Sequence, residues 1–484
     1  MFQIARWVFS RVLGAIFFCA FFSLAGQIRG LFGERGIAPA ASFLQRAQEQ
    51  LGAAAYLKIP TLCWLGASDT TLVAMCWGGV ALSVVLMAGV CPGLSALLLW
   101  ALYLSLCAVG SPFMDFQWDM LLLETAFLAA FALPWKFRPD WRRHTRVARI
   151  AWLLLWWLNF RLMFESGLVK LTAGDPTWHQ LTALQYHFET QPLPLPLGWF
   201  AHQLPALVLR LATALMFLIE LGAPFLLITP RRWRHGGALA LIALQLAILV
   251  TGNYTFFNLL SIALCVPLFD DAWWPARIRA LLPPSTPPPE ADRPWPLWLF
   301  APVAFVIVLV TAAQLETCFH QRGTWTPGWR PPTLAIIETL QPLRSTNGYG
   351  LFRVMTTVRR EIVIEGTDDG VNWRAYEFRY KPGDLRKRPR LATPHQPRLD
   401  WHMWFAALSD VQHSPWFVEM LARLLTNTPE VLALFESNPF PTYPPRSVRA
   451  VLYEYKFTRP GDDPTAWWKR EPLGLYCPPL SLRE

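Results

Sequence analysis

The sequence predicts a polytopic α-helical membrane protein of about nine spans, with a small β-rich α+β extracytoplasmic domain at its C-terminal end. Three observations predict it. Apolar runs near the roughly 20 residues that cross a bilayer recur through the first 315 residues. Charged residues make up 16% of the chain and hydrophobic ones 54%, where a soluble protein carries about 25% charge. From Asn347 to Leu408 the apolar runs give way to β-prone segments around a turn.

Residues 1–28 join Arg6 and Arg11 to one apolar run without a clean small-residue cleavage pattern, and read as a retained first helix. Residues 33–69 are mixed and amphipathic. Apolar runs follow at 70–89, 94–109, 116–133, 148–165, 206–228, 237–250, 255–269 and 297–315. Counting the first helix, the seventh and eighth are short. Joined as one broken helix they would invert everything after them. Many of the 25 Trp fall near the ends of these runs, as an aromatic belt at the membrane interface requires.

Orientation follows from short basic loops. Residues 136–149 (KFRPDWRRHTRVAR) and 231–235 (RRWRH) are the densest, and both belong on the cytoplasmic side. Counting spans from them places 25–69, 166–205 and everything after 315 outside. The Pro-rich stretch at 283–296 then becomes a cytoplasmic spacer. The chain divides into a membrane domain, 1–315, and an extracytoplasmic domain, 316–484. The net charge of +10 by itself says little, because Lys and Arg in short loops mainly set orientation. No compact basic module with interleaved aromatics is present, so nucleic-acid binding is excluded as a function class.

In the C-terminal block, 360–365 and 373–380 are β-prone and flank the turn Thr367-Asp368-Asp369-Gly370. Tyr376, Phe378 and Tyr380 share one face of the second run. Residues 401–408, 416–425 and 430–435 read as short helices, 448–457 as a further strand, and the Pro-rich tail from Thr458 as irregular.

Charge within a span is expensive and marks pairing or function. Asp115 and Asp119 open the fourth span one helical turn apart, with Glu124 deeper; Arg161 and Glu165 close the fifth, followed by Lys170. The expected topology puts these six residues in the outer leaflet. They read first as inter-helix ion pairs, and second as a polar pocket for a head group or client segment. Glu220, deeper in the sixth span, reads as hydrogen-bonded to a neighbouring helix. His179, His187 and His202 lie in the outer loop 166–205 at no metal-ligand spacing; an amphipathic stretch on the membrane surface accounts for them. His395, Asp400 and His402 lack a nucleophile motif, and Asp400 reads as starting a helix. No cofactor or metal is assigned. Of eight cysteines none forms CxxC; six lie in or near apolar runs, and Cys318 with Cys477 is the one candidate disulfide.

Several long motifs resemble the lipase maturation factor family. They are FMDFQWDMLLLETAF at 113–127, RLMFESGLVKLTAGDPTWHQLTALQYHFETQPLP at 161–194, GNYTFFNLL at 252–260, NGYGLFRVMTTVRREIVIEGTDDGVNWRAYEFRYKPGD from 347, PHQPRLDWHMWFAAL to 408, and the late segments PWFVEMLARLL and NPFPTYPPRSVRAVLYEY. The resemblance covers most of the chain in order. It implies a multi-span protein whose C-terminal domain lies in the endoplasmic reticulum lumen in animals and helps secreted dimeric lipases fold and assemble. It carries over no catalytic residues. The Ala-, Arg-, Pro- and Trp-rich composition is similar to a bacterial member, placing the protein in an inner membrane with its C-terminal domain outside. Ser481–Glu484 form no retrieval signal, and the sequon Asn253-Tyr254-Thr255 sits in a turn close to the membrane.

The reading is therefore a membrane-anchored maturation factor, partnered by the bilayer and a secreted lipase-like client. Candidate client-facing residues are Tyr349, Arg353, Asp400, Trp401, His402 and Trp404. The alternative is an integral membrane enzyme acting on lipids or client side chains through Asp119, Glu124, Arg161 and Glu165. A transporter is disfavoured, because no pair of broken helices repeats in two halves.

Overall fold

The computed structural model describes residues 2–139, 141, 145–281, 295–319 and 330–482. Every apolar run named above is helical: α1 (Gln3–Ala25), α2 (Asp69–Ala88), α3 (Pro92–Val109), α4 (Gln117–Ala132), α5 (Arg146–Thr172), α6 (Ala206–Leu226), α7 (Arg231–Thr251), α8 (Phe257–Cys265) and α9 (Leu297–Thr317). Seven are long and apolar enough to cross a membrane. The other two expected spans are shorter: α4 has 16 residues and α8 nine, extended by a 3-10 turn at Val266–Leu268. At 1.5 Å per residue, α4 covers about 24 Å of a roughly 30 Å hydrocarbon core. The Pro-rich spacer lies, up to residue 294, outside the described residues.

Local sequence sets the helix starts. The Ser68 and Thr145 side chains accept from the Thr71 and Ala148 amides at the starts of α2 and α5, and Pro92 occupies the first turn of α3. Packing then depends on close approach. At Gly79 on α2 a Cβ would meet the Phe21 ring at 2.5 Å, so α1 and α2 touch only because that side chain is absent. Phe17 and Phe21 in turn meet the edge of the Tyr103 ring on α3.

The C-terminal part builds a four-stranded antiparallel sheet in the order β2-β1-β3-β4, with β1 Arg359–Thr367, β2 Arg374–Tyr376, β3 Ser447–Phe457 and β4 Trp468–Leu480. β1 pairs with β3 from Arg359 opposite Tyr455 to Thr367 opposite Ser447. The expected turn closes β1 and β2: Asp369 Oδ1 accepts from the amides of Val371 and Asn372 at 2.8 and 2.7 Å. Tyr376 and Phe378 are buried as the alternation predicts. The tail differs from expectation. It is a 13-residue strand, not irregular chain, because β4 lies at the sheet edge, where Pro472, Pro478 and Pro479 sacrifice few ladder bonds. Two short helices, α10 (Arg398–Ala407) and α11 (Pro415–Leu425), cover β1 and β3.

The loop at 173–205 also differs. It is no stretch lying on a membrane surface but a layer between bundle and sheet. Phe188, Thr190, Gln191 and Leu193 in it are buried, and Arg359 of β1 donates to the carbonyls of Glu189 and Pro192 at 2.7 and 2.9 Å. One apolar core then runs unbroken from Phe9 and Phe17 in the bundle, through Trp118 and Trp401, to Phe417 and Ala450 in the sheet layer. The C-terminal ends of α1, α5, α7 and α9 all meet this part of the chain, so the segments assigned by charge to one side do lie together.

Cys318 and Cys477 are both free thiols, which corrects the disulfide expectation. Cys318 ends α9 among Leu168 and Val169, whereas Cys477 sits on β4 opposite Ala450.

Gly79→Leu is expected to lower stability in detergent by about 1–3 kcal/mol through overpacking against Phe21. Gly78→Leu, on the open side of the same turn, should leave the thermal midpoint unchanged. Equal melting of the two variants would contradict this packing.

Candidate functional site

A charge inside the bilayer must find an opposite charge or a full set of hydrogen bonds, so the partners of the intramembrane ions decide what this region can do. The six expected residues form four separate groups.

Asp119, in the first turn of α4, is fully buried. Its partner is Arg398 at the start of α10, which donates to Asp119 Oδ1 and Oδ2 at 2.9 and 3.0 Å. Tyr103 of α3 donates to the same carboxylate at 2.5 Å, and Arg398 also donates to the Phe113 carbonyl at 2.6 Å. The geometry is bidentate, the arrangement in which a planar guanidinium binds a carboxylate most strongly.

Glu124, further along α4, is bonded to Arg161 of α5. The segment 347–350 threads between them. Tyr349 donates its phenol to Glu124 Oε2 at 2.7 Å and its backbone N–H to Glu165 Oε2 at 2.7 Å. Asn347 donates its amide N–H and its side chain to Glu124, both at 3.1 Å, and its carbonyl accepts from Arg161 at 2.7 Å. Burial, then the Glu124 carboxylate, push the Tyr349 phenol well above its ordinary pKa, so it stays a donor.

Lys170 on α5 donates to both oxygens of Glu220 at 2.8 and 2.7 Å. Glu220 is thus bonded to a neighbouring helix, through an ion pair. Asp115 is different: it precedes α4 and pairs with Arg344 at 2.9 Å, its side chain 39% exposed. Among the described residues these ions form separate pairs and not one shared pocket, because each carboxylate already meets a guanidinium, an ammonium or backbone N–H groups.

The candidate client-facing residues are corrected by burial. Tyr349, Asp400, Trp401, His402 and Trp404 are all buried, and Arg353 is half-buried. Trp401 lies 4.7 Å from the Trp118 ring, His402 sits against Phe113 and Phe116, and Trp404 donates to the Thr190 carbonyl at 2.8 Å. Asp400 does not cap its own helix; it accepts from the amides of Tyr380 and Lys381 at 2.8 and 2.9 Å. α10 is buried almost all round because bundle and sheet enclose it, with Phe405 exposed.

Several residues of this seam carry no sequence warning. Gln27 at the end of α1 donates to the Gln396 carbonyl and accepts from the Arg398 amide, at 2.8 and 2.9 Å. Asn253 of the sequon is buried, accepts from Ala392 N at 2.7 Å and donates to the Arg390 carbonyl at 2.9 Å. Arg359 and Lys381 flank the buried Glu361 at 2.6 and 2.9 Å. Arg398 alone had a legible signal, a lone cation inside an aromatic-rich run. Among the described residues no three His, Cys, Asp or Glu side chains are arranged to hold a metal ion.

Two outcomes follow for this seam. Arg398→Ala leaves Asp119 buried without its cation and is expected to cost about 3–5 kcal/mol, with Arg398→Met plus Asp119→Leu recovering most of it. A double variant no more stable than the single one would show that the pair is not what holds α10. Acid should also loosen the seam. Burial lowers the His402 imidazole to about 3, and burial with Arg379 and Arg398 lowers His395, bonded to Ser23 at 2.8 Å, to about 4. Both rings then bind fewer protons folded than unfolded, so stability falls as pH drops below 6.5 and levels off near pH 3–4. His395→Gln should flatten part of that slope in thermal melts between those limits.

Comparison with known proteins agrees with this architecture. Residues 4–276 match the lipase maturation factor transmembrane domain, and 345–478 the lipase maturation factor C-terminal domain. Lipase maturation factor 2 of Homo sapiens is 35% identical over 99% of this chain and 83% of its own length. Lipase maturation factor 1 of Bos taurus is 34% identical over 100% of this chain and 90% of its own. No solved structure matches the chain significantly. The segments that carry both halves of the buried ion-pair seam fall within the two matched regions, and the chain belongs to the lipase maturation factor family.

Proposed function

We propose that this protein is a membrane-anchored maturation factor that supports folding or assembly of a secreted lipase-like client on the extracytoplasmic side. The observation that carries the reading is similarity over the whole chain to proteins named lipase maturation factors, at 34–35% identity. The basic loops support the orientation, with the sheet on the side away from residues 231–235.

The seam residues act here as positioning groups. Asp119–Arg398 and Glu124–Arg161–Tyr349 hold the sheet against the bundle and do not touch the client. The client-facing surface is the outer edge of β4, which pairs with no further strand among the described residues and presents the exposed side chains Leu473 and Leu475. An extended client segment can add to such an edge through main-chain hydrogen bonds, with the leucines as apolar anchors.

Co-expression with a secreted lipase tests both levels. Deletion of the gene should reduce secreted lipase activity; normal activity without it would end the maturation reading. Leu473→Asp with Leu475→Asp should reduce lipase activity severalfold while the membrane protein stays at normal abundance, since both side chains are about half exposed. Full lipase activity with this double variant would remove β4 from the client surface. Protease protection of a C-terminal tag in sealed vesicles checks the orientation.

A further inference from the structure

Beside the buried ion pairs, one open cleft gathers polar groups that have no partner. It has a volume of about 390 Å³ and lies where the C-terminal end of α1 meets the chain after β2, the turn at 395–397 and the start of α10. That volume is within the ordinary range of pockets for small ligands. One wall is apolar. Phe22 of α1 and Trp77 of α2 line it, with ring centroids 5.9 Å apart and the rings edge-on. Both residues belong to helices long and apolar enough to span a membrane, and they are 54% and 50% exposed. Lipid therefore covers this side of the cleft.

The other wall holds two opposite charges that do not pair with each other. Arg379 is exposed and donates to the Ala433 and Phe435 carbonyls at 2.9 and 3.2 Å. These bonds fix its place and leave Nη1 free, while the adjoining Glu436 is already taken by Lys387 and Arg390. Asp400 is the one carboxylate among the described lining residues. Its Oδ1 accepts the Tyr380 and Lys381 amides at 2.8 and 2.9 Å, whereas Oδ2 bonds to no protein atom and keeps accessible surface. Burial pushes the Asp400 carboxyl above its ordinary range, so a cation at Oδ2 favours the charged form. The Tyr380 hydroxyl and His395 Nε2 also line the cleft without a protein partner, and His395 Nδ1 is held by Ser23 Oγ at 2.8 Å. A ligand that answers this set carries a cation with N–H for Asp400, an anion for Arg379 and an apolar chain for Phe22 and Trp77. A purely anionic head group leaves Asp400 without a donor, and a trimethylammonium has no N–H to donate.

We propose that this cleft binds one phosphatidylethanolamine from the leaflet nearest the sheet. Its ammonium donates to Asp400 Oδ2, its phosphate accepts from Arg379, and an acyl chain runs along Phe22 and Trp77. The binding is non-covalent and independent of whether the client reading holds.

The test uses the full-length protein in phosphatidylcholine nanodiscs, with a phosphatidylethanolamine photoprobe bearing a diazirine in one acyl chain and peptide mapping of the adducts. Adducts are expected on the peptides that carry Phe22 and Trp77, with competition by unlabelled phosphatidylethanolamine and not by phosphatidylcholine or phosphatidylglycerol. Soluble glycerophosphoethanolamine, the same head group without chains, should not compete. Ala433→Trp, at the exposed rim, should reduce labelling to background at an unchanged melting temperature. Arg379→Gln and Asp400→Asn should each lower probe affinity about tenfold, the loss of one hydrogen bond to a charged group. Adducts that are insensitive to Ala433→Trp would overturn the site. Equal competition by phosphatidylcholine or phosphatidylglycerol would overturn the head group, and full competition by glycerophosphoethanolamine would overturn the bilayer lipid as its source. If Asp400→Asn fails to fold, Ala433→Trp, Arg379→Gln and the competition series still decide all three.

Discussion

A guanidinium cannot rest at the edge of a bilayer core without a carboxylate, and the contact between Arg398 and Asp119 meets that constraint for the whole molecule. Asp119 belongs to a membrane helix and Arg398 to the C-terminal part, 279 residues away. Neither could be buried alone. Once paired, they fix the start of α10 against α3 and α4, which seats Trp401 on Trp118 and places β1 over the loop layer. The second cluster repeats the logic: Glu124, Arg161 and Glu165 are balanced only when Asn347 and Tyr349 enter between the helices.

This arrangement separates what is held from what is presented. The seam residues are buried and paired with one another, so their contribution is position. The free parts are the β4 edge and the cleft at the end of α1. The chain after β2 links the cleft to the sheet: Arg379 and Tyr380 line the cleft, and Tyr376 pairs with Ile364 of β1. A change at the cleft therefore has a short covalent path to the sheet.

Much of the helical order was legible from the sequence, because a bilayer requires long apolar runs and the basic loops between them are dense. The β1–β2 hairpin was legible from Thr367-Asp368-Asp369-Gly370, whose local hydrogen bonds need no tertiary partner. Strand β4 was not, since three prolines disguise it and only its place at a sheet edge makes them tolerable. The ions of the seam were identifiable as intramembrane charges. Their partners were not, because Arg398, Asn347 and Tyr349 come from chain that reads as a separate soluble block.

The sequence alone determined that this chain enters a membrane repeatedly, which segments share a side, and to which family it belongs. Those properties are written in composition, loop charge and long local motifs. The tertiary structure decided that Tyr349, Trp401, His402 and Trp404 face inward, that Cys318 and Cys477 stay apart, and that Asp119 pairs across the chain rather than with Arg161. Each depends on which distant surfaces meet. Pairing of buried charge is a condition on three-dimensional neighbours, and linear spacing does not specify those neighbours.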